Sequence, residues 1–434
     1  MIQSIDLRGR TLSRAELLEA VPRAELDVAA AVGVAAELVA DVRERGVAAL
    51  AEQAERFDGV LPGQVAVPRE ELSDALEALP AAVREGLEQA IDRVRRATAA
   101  QVPLERATEP VPGGRIVQRW QPVDRGGLYV PGGKAVYPSS VVMNVVPAQV
   151  AGVGSIALAS PPQREFGGGV HPTILAAAEL LGVDEVYAMG GAGAIGALAY
   201  GVPSLGLEPV DVITGPGNVY VAAAKRVVRG VVGIDAEAGA TEILVIADDT
   251  ADPRLVAADL LSQAEHDEQA AAVLVTDSPE LADRVSLALT ALAARTRHRE
   301  RVAAALGGRQ SAIVVVDDVD AAVKVSNAYA PEHLEVHTAD PQATLAGITS
   351  AGAIFLGPHT PVSLGDYLAG SNHVLPTGGQ ARFASGLGAY AFLRPQQIVE
   401  YDRAALEAAR PHVVALSDSE ELPAHGDAVS ARFE

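Results

Sequence analysis

The chain carries nine histidines in 434 residues. Four of them lie in polar contexts where a ring nitrogen could do chemistry: His266, His333, His373 and His425. In Leu261-Ser-Gln-Ala-Glu-His-Asp-Glu268, Gln263 and His266 follow a run with helical spacing that starts at Ala251. A helix through both would aim an amide oxygen and an imidazole nitrogen at one point, which is either the start of a metal site or two surface residues. In Ala330-Pro-Glu-His-Leu-Glu335, Glu332 and His333 stand side by side ahead of an expected strand. In a loop both can line one cleft, and their different natural pKa values suit one to activate water and the other to take a hydroxyl proton; ordinary loop polarity is the competing reading. Pro361 to Asp366 and Gly370-Ser-Asn-His-Val-Leu-Pro376 bring Asp366 and His373 into small polar surroundings, a source of ligand atoms. Glu420 and His425 read by default as exposed helix residues.

Two glycine loops could serve a phosphate. Gly191-Ala-Gly193-Ala-Ile-Gly196 follows an expected strand and opens an expected helix, as the dinucleotide fingerprint G-x-G-x-x-G requires. The acidic residue that should end the next strand is absent, since Asp211 precedes Val212-Ile-Thr214, so close helix packing competes with cofactor binding. Thr214-Gly-Pro-Gly-Asn218 is a second strand-to-helix turn whose N–H groups could meet a phosphate or simply close the turn.

These residues need a scaffold, and its class is α/β. A short helix around Ala15 to Ala20 is ended near Pro22, and Ala-rich amphipathic runs follow from Leu26, Arg69 and Ala81. Strands are expected at Arg115 to Gln121 and Gly127 to Val130, then the turn Pro131-Gly-Gly133, then a helix start at Tyr137-Pro-Ser-Ser140. From Ser155 onward strand and helix alternate, with strands at Ser155 to Ala159, Glu185 to Met189, Val212 to Thr214, Glu242 to Ala247, Ala272 to Thr276, Ala312 to Val316 and Ala353 to Leu356. The alternation implies two Rossmann-like, incomplete α/β units with mostly parallel sheets and small N- and C-terminal extensions. The similar length and order of the blocks allow a duplicated fold, although no sequence repeat supports it. The expected division is 26–131 with 238–380 as one domain, 132–237 as the second, and 1–25 with 381–434 as terminal segments, the last a cap or an arm to a second subunit.

Composition limits the function. With 34 Lys plus Arg against 56 Asp plus Glu, the formal charge is -22, which repels nucleic acid and anionic membrane surfaces. The first residues lack a basic head followed by an apolar run, and the apolar stretch 141–159 is broken by Asn144, Pro147, Gln149 and Ser155, so a soluble cytoplasmic protein is expected. Cysteine is absent. A metal must therefore be held by N and O atoms, and an aldehyde intermediate must be attacked by water rather than by a thiol.

Taken in order, Gly127-Leu-Tyr-Val-Pro-Gly-Gly133 with Tyr137-Pro-Ser-Ser140, Thr214-Gly-Pro-Gly-Asn218, Ser262 to Asp267, Ala330 to Glu335, Ser363-Leu-Gly-Asp366 with Gly370 to Pro376, and Ala424-His425 resemble histidinol dehydrogenase. The likeness runs over nearly the whole chain. It implies a zinc-bearing homodimer that oxidises L-histidinol to L-histidine, the last two steps of histidine biosynthesis, with two NAD+ used in succession at one site. By position it implies one zinc per subunit on Gln263, His266, Asp366 and His425 of the partner subunit. It implies Glu332 and His333 as the catalytic pair, with substrate contacts from Thr241, Gln263, His266, His333, Asp366, His373 and, from the partner, Glu420 and His425. Tyr129, Gly193 and Asn218 fall at cofactor positions.

The chain departs from the family pattern twice. Gly193 stands where a Gln is common, which removes a side-chain contact to NAD. Thr241 stands in Gly239-Ala-Thr-Glu242 where Ser is usual, which keeps the hydroxyl and adds a methyl group. Three other readings use the same residues: a zinc and NAD dehydrogenase acting on another amino or sulfonated alcohol, a zinc hydrolase, and a non-catalytic dimer stapled by zinc.

Overall fold

The computed structural model describes residues 2–21, 23–24, 28–132, 136–237 and 239–434; the expected landmarks at Pro22, Leu26 and Gly133 lie outside them. Among the described residues six parallel strands form one sheet, in the order Gln3–Asp6, Ala312–Val315, Ala271–Thr276, Glu242–Ala247, His333–His337 and Ala353–Leu356. Its inner strands are covered on both faces, which is why they read as near-continuous apolar runs. Ile243, Val245, Ala272, Leu274 and Ile313 face one helix layer, and Leu244, Ile246, Val273, Val275 and Val314 face the other. That split follows from the two-residue period of a strand.

A second parallel sheet has the order Glu185–Ala188, Ser155–Ser160, Arg125–Tyr129, Val212–Thr214 and Gly233–Ile234. The helix Val28–Arg45 packs on Gly191–Tyr200 and Val219–Val228, Arg69–Glu77 on Pro172–Leu180, and Ala81–Ala99 on Pro138–Ala151. No helix among the described residues is long and apolar enough to cross a membrane.

The expected α/β class with two parallel sheets holds. Gln3–Asp6 pairs with Ala312–Val315 from Gln3 opposite Ala312 to Asp6 opposite Val315, so the first segment joins the six-stranded sheet. It is a mostly exposed edge strand joined through its backbone, and its side chains carry no core signal. The helices between 28 and 99 pack on the helices that flank the five-stranded sheet. An Ala-rich apolar stripe records that a helix is covered but not by which sheet.

Besides the two-residue strand Gly233–Ile234, the strands Arg106–Val111 and Leu393–Tyr401 carry no signal in the sequence. They flank Gly114–Pro122 in a three-stranded antiparallel sheet. Leu393–Tyr401 is polar and holds Pro395, which an edge strand tolerates because one of its sides makes no ladder bonds. Two C-terminal helices, Arg403–Ser419 and Pro423–Ser430, pack against each other. The first runs on through Pro411 to Ser419.

Candidate active site

A cavity of about 1120 Å³ opens between the strand ends of the two parallel sheets. From the five-stranded side it is lined by Tyr129, Gly190 to Ala192 and Gly215 to Asn218; from the six-stranded side by Thr241, His266, Glu332, His333, Asp366 and His373.

The glycine loops line the first end. At Gly215 φ is +114°, and a Cβ there would come within 1.9 Å of the Tyr129 carbonyl oxygen, so only glycine allows the loop to pass so close. Asn218 caps the helix Val219–Val228 through Oδ1, which accepts from the N–H groups of Tyr220 at 3.0 Å and Val221 at 3.2 Å. The Tyr129 hydroxyl accepts from the Gly191 N–H at 3.2 Å, and burial pushes its pKa up to about 12. The phenol is therefore neutral at the cavity wall.

The G-x-G-x-x-G spelling divides by position. Gly191, at φ +60°, faces the cavity, but Gly196 lies against Val39 of the helix Val28–Arg45 and makes room for helix packing. Gly193 is not on the cavity wall. A Cβ there would fall 2.3 Å from Gln53 Oε1, so the Gln53 side chain, itself a wall residue, fills the space a longer residue 193 would take. Asp211 accepts from the N–H groups of Asp124 and Arg125, both at 2.9 Å, which is a structural duty.

At the other end the geometry favours proton transfer. Glu332 precedes the strand His333–His337, and His333 opens it. His333 Nδ1 lies 3.1 Å from the Glu242 carbonyl oxygen, which can only accept, so Nδ1 carries the hydrogen and Nε2 keeps a lone pair. That Nε2 has no hydrogen-bond partner among the described residues. Glu332 Oε2 accepts from the Thr241 hydroxyl at 2.7 Å and the Glu242 N–H at 2.9 Å, which leaves Oε1 for another partner.

Thr241 connects this pair to Gln263. Its hydroxyl gives its hydrogen to the carboxylate, so it must accept from Gln263 Nε2 at 2.6 Å. This sets the amide orientation and leaves Gln263 Oε1 as the free end. The helix carrying Gln263 is Pro253–Ala264, capped by Asp252; His266 lies past its C-cap and is tied back by a 3.2 Å bond from its N–H to the Gln263 carbonyl. The expectation of one helix face for both is therefore corrected: Asp267 and the turn beyond it end the helix a residue too soon, and His266 enters the cavity from that turn.

Asp366 lies in the short helix Val362–Tyr367. Its carbonyl accepts from His373 Nδ1 at 2.9 Å, and His373 Nε2 lies 3.0 Å from the Ser140 hydroxyl, so His373 has both ring nitrogens engaged. Burial draws the His373 pKa down, the Asp366 charge opposes this, and His333 and His266 add to it, a sign that all four groups share one region. An amide oxygen, an imidazole and a carboxylate are a donor set that zinc accepts, and a tetrahedral ion on them still lacks a ligand. Glu420 and His425 are exposed in the C-terminal tail and do not line their own chain's cavity.

Sequence reasoning passed over the cofactor-end residues Gln53 and Asp58. They enter from a different helix, and Asp58 ends an irregular wide turn, Ala54–Asp58, closed by Gly59 in the left-handed region. Burial raises the Asp58 carboxyl to about 6. The buried Lys225–Asp235 pair at 2.6 Å was also passed over; Asp235 Oδ2 accepts from the Gly215 N–H at 2.8 Å and fixes the glycine loop.

One cavity of an α/β fold thus holds the glycine turns at one end and, at the other, a carboxylate beside an imidazole whose Nε2 has no partner among the described residues. Comparison with known proteins narrows the class: the chain belongs to the histidinol dehydrogenase family, whose model matches residues 21–433. It is 71% identical over 433 residues to the histidinol dehydrogenase of Leifsonia xyli subsp. xyli, covering 100% of this chain and 99% of that one. With the enzyme of Nocardia farcinica it shares 60% identity over 99% of this chain and 97% of the relative. The crystal structure of histidinol dehydrogenase from Elizabethkingia anophelis matches with a TM-score of 0.92 at 32% identity, covering 100% of this chain and 98% of that one.

Proposed function

We propose that the protein oxidises L-histidinol through L-histidinaldehyde to L-histidine, in the cytoplasm, with two NAD+ consumed per turnover. The observation that carries this reading is the unpartnered His333 Nε2 beside Glu332 in a cavity shared with the glycine loops. Gln263, His266 and Asp366, with His425 of the partner subunit, would hold one zinc per subunit. When bound, NAD+ supplies the hydride acceptor, and zinc would fix the substrate's imidazole and amine.

The remaining work falls to the chain's own groups. His333 Nε2 takes the hydroxyl proton as the alcohol becomes the aldehyde, while the Glu242 carbonyl holds the ring in the tautomer that keeps this nitrogen basic. After that proton leaves, Glu332 Oε1 draws a proton from the water that adds to the aldehyde, with Oε2 steadied by Thr241 and the Glu242 N–H. His333 then takes a proton from the hydrate as it is oxidised to the acid. Tyr129 and Asn218 would orient the nicotinamide nucleotide, with Gln53 filling the space at Gly193. His373 holds the Asp366 helix in place, and Glu420 of the partner subunit would add a carboxylate for the substrate, so the complete site needs a homodimer.

The test is NADH absorbance on adding L-histidinol, with and without prior chelation. NADH formation that chelation abolishes is expected. Hydrolysis of an amide without NADH would replace this reading.

A further inference from the structure

Behind the cavity, on the same face of the strand that His333 opens, Glu335 and His337 turn toward Asp259 of the helix Pro253–Ala264. One ligand atom from each of the three lies within 4.8 Å of the other two. Around them the sheet is apolar: Glu335 sits between Val245 and Phe355 on the flanking strands, and His337 is opposite Ala247. Glu335 is 0% exposed and His337 5%. Among the described residues neither Glu335 Oε2 nor His337 Nε2 has a hydrogen-bond partner. Buried polar atoms without partners are costly, and two aimed at a common centre call for an occupant.

The spacing identifies the kind of occupant. His337 Nε2 lies 3.4 Å from Glu335 Oε2 and 3.9 Å from Asp259 Oδ2, too far for good hydrogen bonds. Such separations are close to the edge of a tetrahedron of ligands around an ion with bonds of about 2.0–2.1 Å, which is roughly 3.4 Å. Charge points the same way, because two carboxyl groups and an imidazole share a dry site in which a cation would supply the counter-charge. Asp259 is the most exposed of the three, at 14% of its side chain, and offers the way in.

We propose that Asp259, Glu335 and His337 bind a divalent transition-metal cation, Zn2+ foremost, at a buried structural site separate from the catalytic cavity. The site joins the elements that carry the cavity residues. Asp259 is one turn before Gln263, Glu335 is one pleat after His333, and Glu335 Oε1 accepts from the Val362 N–H at 2.8 Å, one turn before Asp366. A metal here braces the helix, the strand and the short helix on which those three side chains ride.

The experiment measures metal per chain in the full-length protein by elemental analysis, after the chelated protein is titrated with Zn2+ alone. The variant His266→Ala/Asp366→Ala, which removes ligands of the proposed catalytic zinc, is expected to retain about one Zn2+ per chain and, with Co2+, to show the visible absorption of an N/O site. Adding His337→Gln should bring both to zero. Should that variant not fold, Asp259→Asn in the same background replaces it, with circular dichroism as the check on folding. A cavity variant that holds no metal, or metal content unchanged by His337→Gln or Asp259→Asn, overturns the proposal. A wild-type chain whose only metal is lost with His337 but kept without His266 and Asp366 upholds this site and instead contradicts the catalytic zinc.

Discussion

His333 and His337 sit on one face of one strand, two pleats apart, and each has a ring nitrogen without a partner. Their surroundings give them different work. His333 has a backbone carbonyl on Nδ1 and lines the cavity, the position that the proposed base requires. His337 points Nε2 at two carboxylates under a helix, where no substrate reaches. On the proposed reading one residue type on one strand serves as a base or as a ligand according to what the facing element supplies, and the polar stripe His333, Glu335, His337 would serve both the chemistry and the scaffold under it.

The sharpest way to break this contrast is to change each histidine alone. His333→Gln should lower kcat roughly 10²–10⁴-fold, read as NADH formation, while thermal unfolding stays close to wild type. His337→Gln should instead lower Tm by a few degrees, because it replaces the imidazole that faces two buried carboxyl groups by a neutral amide. Equal kinetic losses in the two variants would erase the distinction. Next in size is Thr241→Ala, which removes the hydroxyl joining Gln263 Nε2 to Glu332 Oε2. It should reduce kcat about tenfold and weaken zinc retention under a chelator, whereas Thr241→Ser should restore both.

Smaller effects are expected at the cofactor end. Gln53→Ala should raise the KM for NAD+ about threefold to tenfold and leave the KM for L-histidinol alone; a change confined to the latter would remove Gln53 from the cofactor groove. The smallest effect concerns Asp58, whose folded pKa of about 6 lies above its ordinary 3.8. A carboxyl raised in the folded state adds stability below its unfolded pKa and loses it as pH rises through the folded value. The Tm of Asp58→Asn relative to wild type should therefore climb by about 1–2 °C between pH 4 and pH 7, a modest amount because the group is partly exposed. A difference that does not change with pH would mean that this carboxyl is not desolvated.

The sequence made legible what depends on local chemistry. The strand-to-helix turn at Thr214 to Asn218, the Pro138 helix start and the Glu332–His333 pair each carry their own signal in cap, glycine or adjacency. What depends on the facing element was not legible. Glu335 and His337 look like the polar side of a half-exposed strand until the helix Pro253–Ala264 is seen to cover them. Gln53 has no tie to Gly193 except in space, and His266 was placed on a helix that ends before it. The edge strand Gln3–Asp6 gives little core signal because, apart from Ile5, its side chains are exposed and the sheet holds it through its backbone.

The central claim is that one cavity oxidises the alcohol twice, with His333 as the base throughout and Glu332 needed only for water. Counting NADH formed per L-histidinol consumed in a closed reaction tests it most directly. Wild type should give two, and Glu332→Gln should give one while histidinaldehyde accumulates. Two NADH from Glu332→Gln, or equal loss of both half-reactions, would contradict the division of labour between these neighbouring side chains.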